Sequence, residues 1–281
     1  MERNPVTSVS GLIDVHVHIR STDGITTLAS AGIVAARDAG IRENVASQRE
    51  SLKLLGTHLT IMSARWGLYK KGAYGALFGV AVETREEIKA EILNLKNAGA
   101  DIIKMMASGI VSLKEPRKVT SSGFTNQEIR FIVEEAREQG LDVMAHANGE
   151  DAIVSCARAG VRSVEHGFFM TERALDVLAQ EAIFWTPTVG ALARAAGSVP
   201  ERATNDVRDF IDGLIQSHLA MIGRASAVGV PLAVGTDCVL PAKDYKRIYD
   251  EELGYFERAG IAHGGVIAIA TSGGARLLGL E

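Results

Sequence analysis

Short β-branched runs alternate with helical segments along the whole of this 281-residue chain. That alternation restricts the available folds more than any other feature. Strands are expected at 12–19, 33–37, 59–63, 101–105, 141–146, 161–165, 182–186 and 231–236. Helices are expected near 84–98, 125–139, 150–159, 171–180, 205–228, 244–259 and 264–278. In "TREEIKAEILNLKNA", Thr84 stands where an N-cap is needed, and Ile88, Ile92 and Leu95 recur as a helical stripe. The steps Ala98-Gly99, Gln139-Gly140 and Ala159-Gly160 supply glycine where a left-handed C-cap precedes a strand. Eight strands alternating with helices, with no second compositional zone, predict a single-domain (β/α)8 TIM barrel over residues 1–281. A doubly wound open sheet is the alternative, but no G-x-G-x-x-G turn follows the first strand.

Composition narrows the function classes. Hydrophobic residues make up 47% of the chain and charged residues 23%, enough apolar material for a large core. A formal net charge of −4 gives no reason to expect nucleic acid or an anionic membrane as partner. Cys156 and Cys238 are too few for a disulfide framework. No apolar run reaches the roughly 18 residues needed to span a bilayer, and residues 1–10 lack the apolar stretch of a signal peptide. A cytoplasmic protein acting on a small molecule is the expectation.

The chemistry sits at the predicted strand ends. "GLIDVHVHIR" carries His16 and His18 two residues apart, so both side chains leave the strand on one face. Lys104 lies within "DIIKMMASG", His146 ends "LDVMAH", His166 follows "SVE", and Asp237 follows "AVGT". In a barrel the C-terminal strand ends share one mouth. Imidazole nitrogen and carboxylate oxygen are donors for zinc and its neighbours. Taken alone, His16 and His18 are equally well explained as core imidazoles bonded to carbonyls, and Asp237 as a helix N-cap; the set of six favours metal. Lys104 is chemically sensible there as a carbamate, an anionic oxygen ligand formed from a neutral amine and carbon dioxide, which bridges two metals.

The order H-x-H, K, H, H, D on strands one, four, five, six and eight resembles the amidohydrolase superfamily of metal-dependent hydrolases. The blocks "VAARDAG", "AGADIIKMMASG", "AHANGEDAI", "AGVRSVEHG", "GVPLAVGTD" and "ATSGGARLLGLE" are most similar to its prolidase and imidazolonepropionase-related branch. The resemblance implies that His16, His18 and Asp237 hold one metal and His146 and His166 the other, with carboxylated Lys104 and a hydroxide between them. It implies two divalent ions, zinc first and manganese or iron otherwise, and Asp237 as the catalytic proton carrier. The implied activity is cleavage of an amide or related C–N bond, with an N-acyl amino acid or dipeptide-like substrate.

Two departures bear on that reading. The flanking β-sandwich of many relatives is not expected, since ten residues precede Gly11 and the last helix ends near Glu281. Barrel surfaces that a sandwich covers are then solvent-facing or buried in a homo-oligomer. Residues 64–79, "ARWGLYKKGAYGALFG", replace a Gly-Gly-His-Gly segment frequent in the branch. Tyr69, Lys70 and Tyr74 of this loop, and Phe168 beyond His166, are the candidate substrate contacts, with Lys70 or Lys71 as carboxylate partners.

The remaining residues are read structurally. Asp14 and Glu165 are expected to point away from the cavity, and Arg37 to pair with Asp38. His58, His218 and His263 are read as ordinary surface or helix histidines. Rival functions on the same barrel are a lactone, ester or phosphotriester hydrolase, a mononuclear deaminase and a non-catalytic assembly barrel. The deaminase pattern lacks Lys104 and places a glutamate three residues after the strand-five histidine; here Glu150 is four after His146.

Overall fold

The computed structural model describes residues 11–42, 58–112, 115, 118–120, 123–197 and 205–280; the leader discussed above lies outside them. Its strands are β1 (Leu12–Ile19), β2 (Ile33–Asp38), β3 (Thr60–Ser63), β4 (Gly67–Lys70), β5 (Gly79–Val82), β6 (Ile102–Met106), β7 (Asp142–Ala147), β8 (Ser163–His166), β9 (Phe184–Thr186) and β10 (Cys238–Leu240). The helices are α1 (Thr22–Ser30), α2 (Arg85–Asn97), α3 (Asn126–Glu138), α4 (Glu150–Ala159), α5 (Glu172–Gln180), α6 (Val189–Gly197), α7 (Asn205–Val228), α8 (Tyr245–Arg258), α9 (His263–Ala268) and α10 (Gly274–Leu278), with a π-helical turn at Ile269–Gly273. All strand pairings are parallel, in the orders β10-β1-β2-β3 and β5-β4-β6-β7-β8-β9.

Backbone hydrogen bonds join the two sheets on both sides, which gives the expected barrel. On one side Asp101 N donates to Ser63 O at 2.8 Å, and the third barrel position is split: β3 pairs with β2, while β4 pairs with β6. On the other, Trp185 N donates to Pro231 O, Ala233 N to Trp185 O, and Val15 N to Val234 O. The segment 231–236 therefore does the work of the eighth strand. Its regular pairing starts only at Cys238, because Asp237 takes φ +50° and interrupts the extended run. Gly235 makes the close approach possible: a Cβ there would lie 2.5 Å from Thr186 Cγ2 and 2.7 Å from His16 Cβ.

Helix positions follow the sequence closely where caps and stripes are local. Thr84 accepts from Glu87 N in a full capping box, and Ile88, Ile92 and Leu95 are the buried stripe of α2. Burying each such side chain is worth roughly 1.5–3 kcal/mol. Gly99, Gly140 and Gly160 all adopt positive φ. Two helices escape the pattern. α1 is rich in threonine, and its Gly24 packs against Leu240. α6 begins "VG", and its first amides are capped by Glu252 from α8, a tertiary device. Within 64–79, expected to be loop, β4 forms and β5 begins at the last residue. They meet at Gly79, where a Cβ would lie 2.1 Å from Gly67 O. No helix among the described residues is long and apolar enough to cross a membrane.

Candidate active site

The C-terminal strand ends enclose a cavity of about 180 Å³. His16 and His18 reach it from β1, Lys104 from β6, His146 from β7, His166 from the end of β8, and Asp237 from the turn before β10. All six predicted ligand positions line this one space. His16, His166 and Asp237 bring one donor atom each to within 4.8 Å of one another. His18 Nε2 lies 3.1 Å from Asp237 Oδ1, and Lys104 Nζ lies 3.3 Å from His16 Nε2.

Hydrogen bonds to carbonyl and carboxylate oxygens fix the protonated nitrogen of His16, His18 and His146. His18 Nδ1 lies 2.6 Å from Gly40 O, and a carbonyl only accepts, so Nδ1 carries the proton. The His18 Nε2 atom faces the Asp237 carboxylate oxygen at 3.1 Å. His16 repeats the arrangement: Nδ1 donates to Glu165 Oε2 at 2.7 Å, leaving Nε2 at 3.6 Å from Asp237 Oδ1. His146 Nε2 donates to Gly109 O at 3.0 Å, so its Nδ1 is the unprotonated atom. His166 Nδ1 lies 2.7 Å from Thr188 Oγ1. The His16 Nε2 atom faces the Asp237 oxygen at 3.6 Å with Lys104 Nζ at 3.3 Å beside it, and His16, His166 and Asp237 turn three donor atoms toward one point. The donor set therefore fits a metal, and the outer hydrogen bonds are those that orient metal-binding histidines.

Protonation states agree. Burial first, then the Lys104 charge, lowers His16 and His146 to about 4. Burial and the neighbouring His146 take His166 well below its usual value. These rings are neutral and ligand-ready at neutral pH. Burial raises the Asp237 carboxyl, but His16, His18 and His166 outweigh it and hold the group well below the ordinary range. Burial lowers Lys104 to about 8 against the pull of Glu165 and Asp237.

Several structural expectations need correction. Arg37 does not pair with Asp38. Its Nη2 donates to Glu165 Oε1 at 2.7 Å, Nη1 to Ser163 Oγ and Nε to Val15 O. Asp38 instead accepts from Ile19 N, Gly40 N and Ser63 Oγ. Glu165 does not face outward. Since β2 and β8 are not neighbours, the Arg37–Glu165 bridge must cross the barrel interior, beneath His16. His166 adopts φ +66°, so simple alternation fails at that strand end. Asp14 behaves as expected, accepting from Thr236 and from Tyr245 OH of α8, away from the cavity. The register shift in β1 between Asp14 and Val17 separates it from the face of His16. His218 is buried, its ring tilted against Phe168 at 4.5 Å with Trp185 at 5.2 Å, and burial lowers it to about 4. His58 and His263 are exposed.

Of the candidate substrate contacts, Tyr74 and Phe168 line the cavity, whereas Tyr69 and Lys70 do not. Lys70 Nζ donates to Glu128 Oε1 and Glu83 O, and Lys71 to Glu83 Oε2. Trp66 is tied to Glu91, and Cys238 is buried outside the lining. Sequence reasoning missed Phe78, Ile110, Leu192 and Asn148 as wall residues. Asn148 alone carried a signal, two positions past His146. Glu150, the residue relevant to a deaminase, bonds Thr171 and Arg173 instead of entering the cavity.

A parallel (β/α)8 barrel with this donor set at its mouth is the architecture of a metal-dependent enzyme class. The sequence signature of the amidohydrolase family matches residues 8–281, and the chain belongs to that family. Ochratoxinase from Aspergillus niger is 29% identical over 185 residues, 66% of this chain and 37% of that protein. The chain thus spans little more than a third of that relative. A protein from Mycobacterium tuberculosis is 24% identical over 260 residues, 86% of this chain and 66% of its own length. The crystal structure of a Xaa-Pro dipeptidase with bound methionine superposes with a TM-score of 0.80 at 23% identity, covering 97% of this chain and 76% of that one. The crystal structure of ochratoxinase gives 0.76 at 20% identity, covering 96% and 71%. These neighbours share the fold.

Proposed function

We propose that the chain is a binuclear metal-dependent hydrolase that cleaves an amide or related C–N bond of a small molecule. The observation that carries this reading is the convergence of donor atoms of His16, His166 and Asp237 to within 4.8 Å of one another, in a cavity also lined by His18, Lys104 and His146. His16, His18 and Asp237 would hold one ion and His146 and His166 the second. Lys104, after its amine adds carbon dioxide and releases a proton, would lie between them. Two divalent ions, zinc first and manganese or iron otherwise, would lower the pKa of a water and polarise the scissile carbonyl.

The protein's own groups supply the rest. Asp237 would orient the attacking water, take its proton on a carboxylate oxygen and deliver it to the departing amine nitrogen. Glu165 and Gly40 hold the His16 and His18 rings in the ligand orientation. The neighbourhood of ochratoxinase and a dipeptidase supports amide chemistry. N-acyl amino acids and dipeptide-like compounds are the first substrates to assay, with lactones, esters and phosphotriesters as the rival set. Two metals per chain, a carbamate on Lys104 and turnover of amides are the expected result. Turnover confined to lactones would overturn the reading, and one metal with an unmodified Lys104 would revive the mononuclear deaminase in its place.

A further inference from the structure

Asp237 leaves the eighth strand at φ +50°. A residue with a Cβ rarely takes this left-handed conformation, which persists only where neighbouring contacts hold it. Those contacts converge on Thr236, the residue before it. Thr236 N donates to Asp14 Oδ1 at 3.1 Å and Thr236 Oγ1 to Asp14 Oδ2 at 2.7 Å, while Tyr245 OH donates to the same Oδ2 at 2.8 Å. Past the turn, Cys238 N donates to Thr236 Oγ1 at 3.2 Å, and Asp237 N donates to His16 O at 2.7 Å.

The Thr236 carbonyl belongs to the peptide that joins Thr236 to Asp237. Arg194 Nη2, reaching over from α6, donates to it at 2.7 Å. A peptide is planar, so fixing its oxygen fixes the plane from which Asp237 departs. The guanidinium itself has little freedom. Its Nη1 is buried and has no hydrogen-bond partner among the described residues. Gly190, one turn earlier in α6, leaves the room it occupies: a Cβ there would lie 2.9 Å from Arg194 Nη1 and 2.8 Å from Glu252 Oε2. Leaving a buried nitrogen unsatisfied is destabilising, so stability alone does not account for an arginine at this position.

We infer that Arg194 is a positioning residue for Asp237: its bond to Thr236 O holds the peptide that aims the Asp237 carboxylate at His16 Nε2 and His18 Nε2, 3.6 and 3.1 Å away. The inference rests on the metal-site reading above and adds to it a residue outside the cavity lining. It also ties Asp237 to α6, whose Ala191, Leu192 and Ala195 form one side of the cavity.

The sign of one measurement separates this role from a purely electrostatic one. As a bare positive charge near the site, Arg194 would oppose a cation, and its removal would tighten metal binding. As a positioning residue, its removal loosens a ligand and weakens binding. Zinc affinity of Arg194→Met, measured on the full chain by chelator competition, is expected to fall about tenfold or more. Unchanged or tighter binding overturns the inference. Repeating the substitution in an Asp237→Gly background distinguishes positioning from general loosening of the barrel, because glycine accepts φ +50° and removes the carboxylate. There Arg194→Met should change zinc affinity by less than about twofold. An equal loss in both backgrounds overturns the inference, since the arginine would then act through the fold and not through Asp237. Should Asp237→Gly take up no zinc, the cobalt(II) absorption bands of Arg194→Met decide: altered intensities support the inference, and a parental spectrum overturns it. If the methionine variant does not fold, Arg194→Gln, whose shorter neutral chain also gives up the bond, is read in the same way. A parent protein that takes up no zinc overturns the metal-site reading and this inference with it. A parent that binds zinc, with Arg194→Met at parental affinity, overturns the inference alone.

Discussion

Glu165 and Glu252 are both completely buried carboxylates, yet their surroundings shift them in opposite directions. Burial pushes Glu165 up, but Arg37 and His16 outweigh it and bring the group down to about 2. Glu252 accepts from Gly190 N and Val189 N at the start of α6, at 2.7 and 2.9 Å. Burial wins there and raises it to about 7. Two backbone donors and the charge of Arg194 do not offset the burial of Glu252, whereas a guanidinium bonded directly to Glu165 at 2.7 Å does. The first region fixes a permanent charge beneath the ligand cluster and sets the His16 tautomer. The second caps a helix whose Ala191, Leu192 and Ala195 form one side of the cavity.

Substitutions in the two regions can break or sharpen that contrast. Arg37→Met removes the counter-charge of Glu165 and should cost about 3–5 kcal/mol of stability, read from urea denaturation. A loss below about 1 kcal/mol would mean that Glu165 is neutral in the folded protein. Glu165→Gln retains an oxygen acceptor but loses the charge behind His16. Zinc affinity, measured by chelator competition, should weaken about 10–100-fold, whereas Glu252→Gln should leave it unchanged. Equal loss in both would erase the distinction between the regions.

Glu252 should appear instead in the pH dependence of stability. Its folded pKa, about 7, lies above the ordinary 4.5. Its contribution is therefore fully present below about 4.5 and lost as pH rises through about 7. Glu252→Gln should flatten the fall in Tm across that window. A variant profile parallel to the parent's would mean that another group titrates there. The smallest effect is expected from Thr84→Ala, far from both acids. It removes the α2 cap for about 1 kcal/mol and leaves metal affinity untouched, which gives the baseline for a purely local change.

Legibility from sequence divides along the same line. The six cavity positions were readable because each combines a strand pattern with a residue type that the core of a barrel otherwise avoids. His16, His18, Lys104, His146, His166 and Asp237 needed only strand order to be placed in one mouth. Glu165 was misplaced because alternation holds only while the strand is regular, and His166 leaves it at positive φ. Arg37 was paired with its sequence neighbour Asp38, although its partner lies 128 positions away across the interior. The wall was the least legible part. Lys70 and Tyr69 sit near Tyr74 in sequence, but they belong to β4, and the segment between β4 and β5 brings Tyr74 and Phe78 into the cavity wall. His218 carries no local sign of being buried behind Phe168.

The sequence alone determined the barrel, most helix boundaries, the donor types and their order around the mouth. These depend on periodicity, capping and residue chemistry, all of which act over a few positions. Tertiary structure decided which histidine nitrogen faces the cavity, which carboxylate carries charge, and which loop residues reach the substrate space. Each of those depends on a partner brought close by the closing of the barrel: Gly40 for His18, Arg37 for Glu165, Gly67 against Gly79 for the loop. Desolvation and hydrogen bonding are properties of such encounters, and no short stretch of chain contains them.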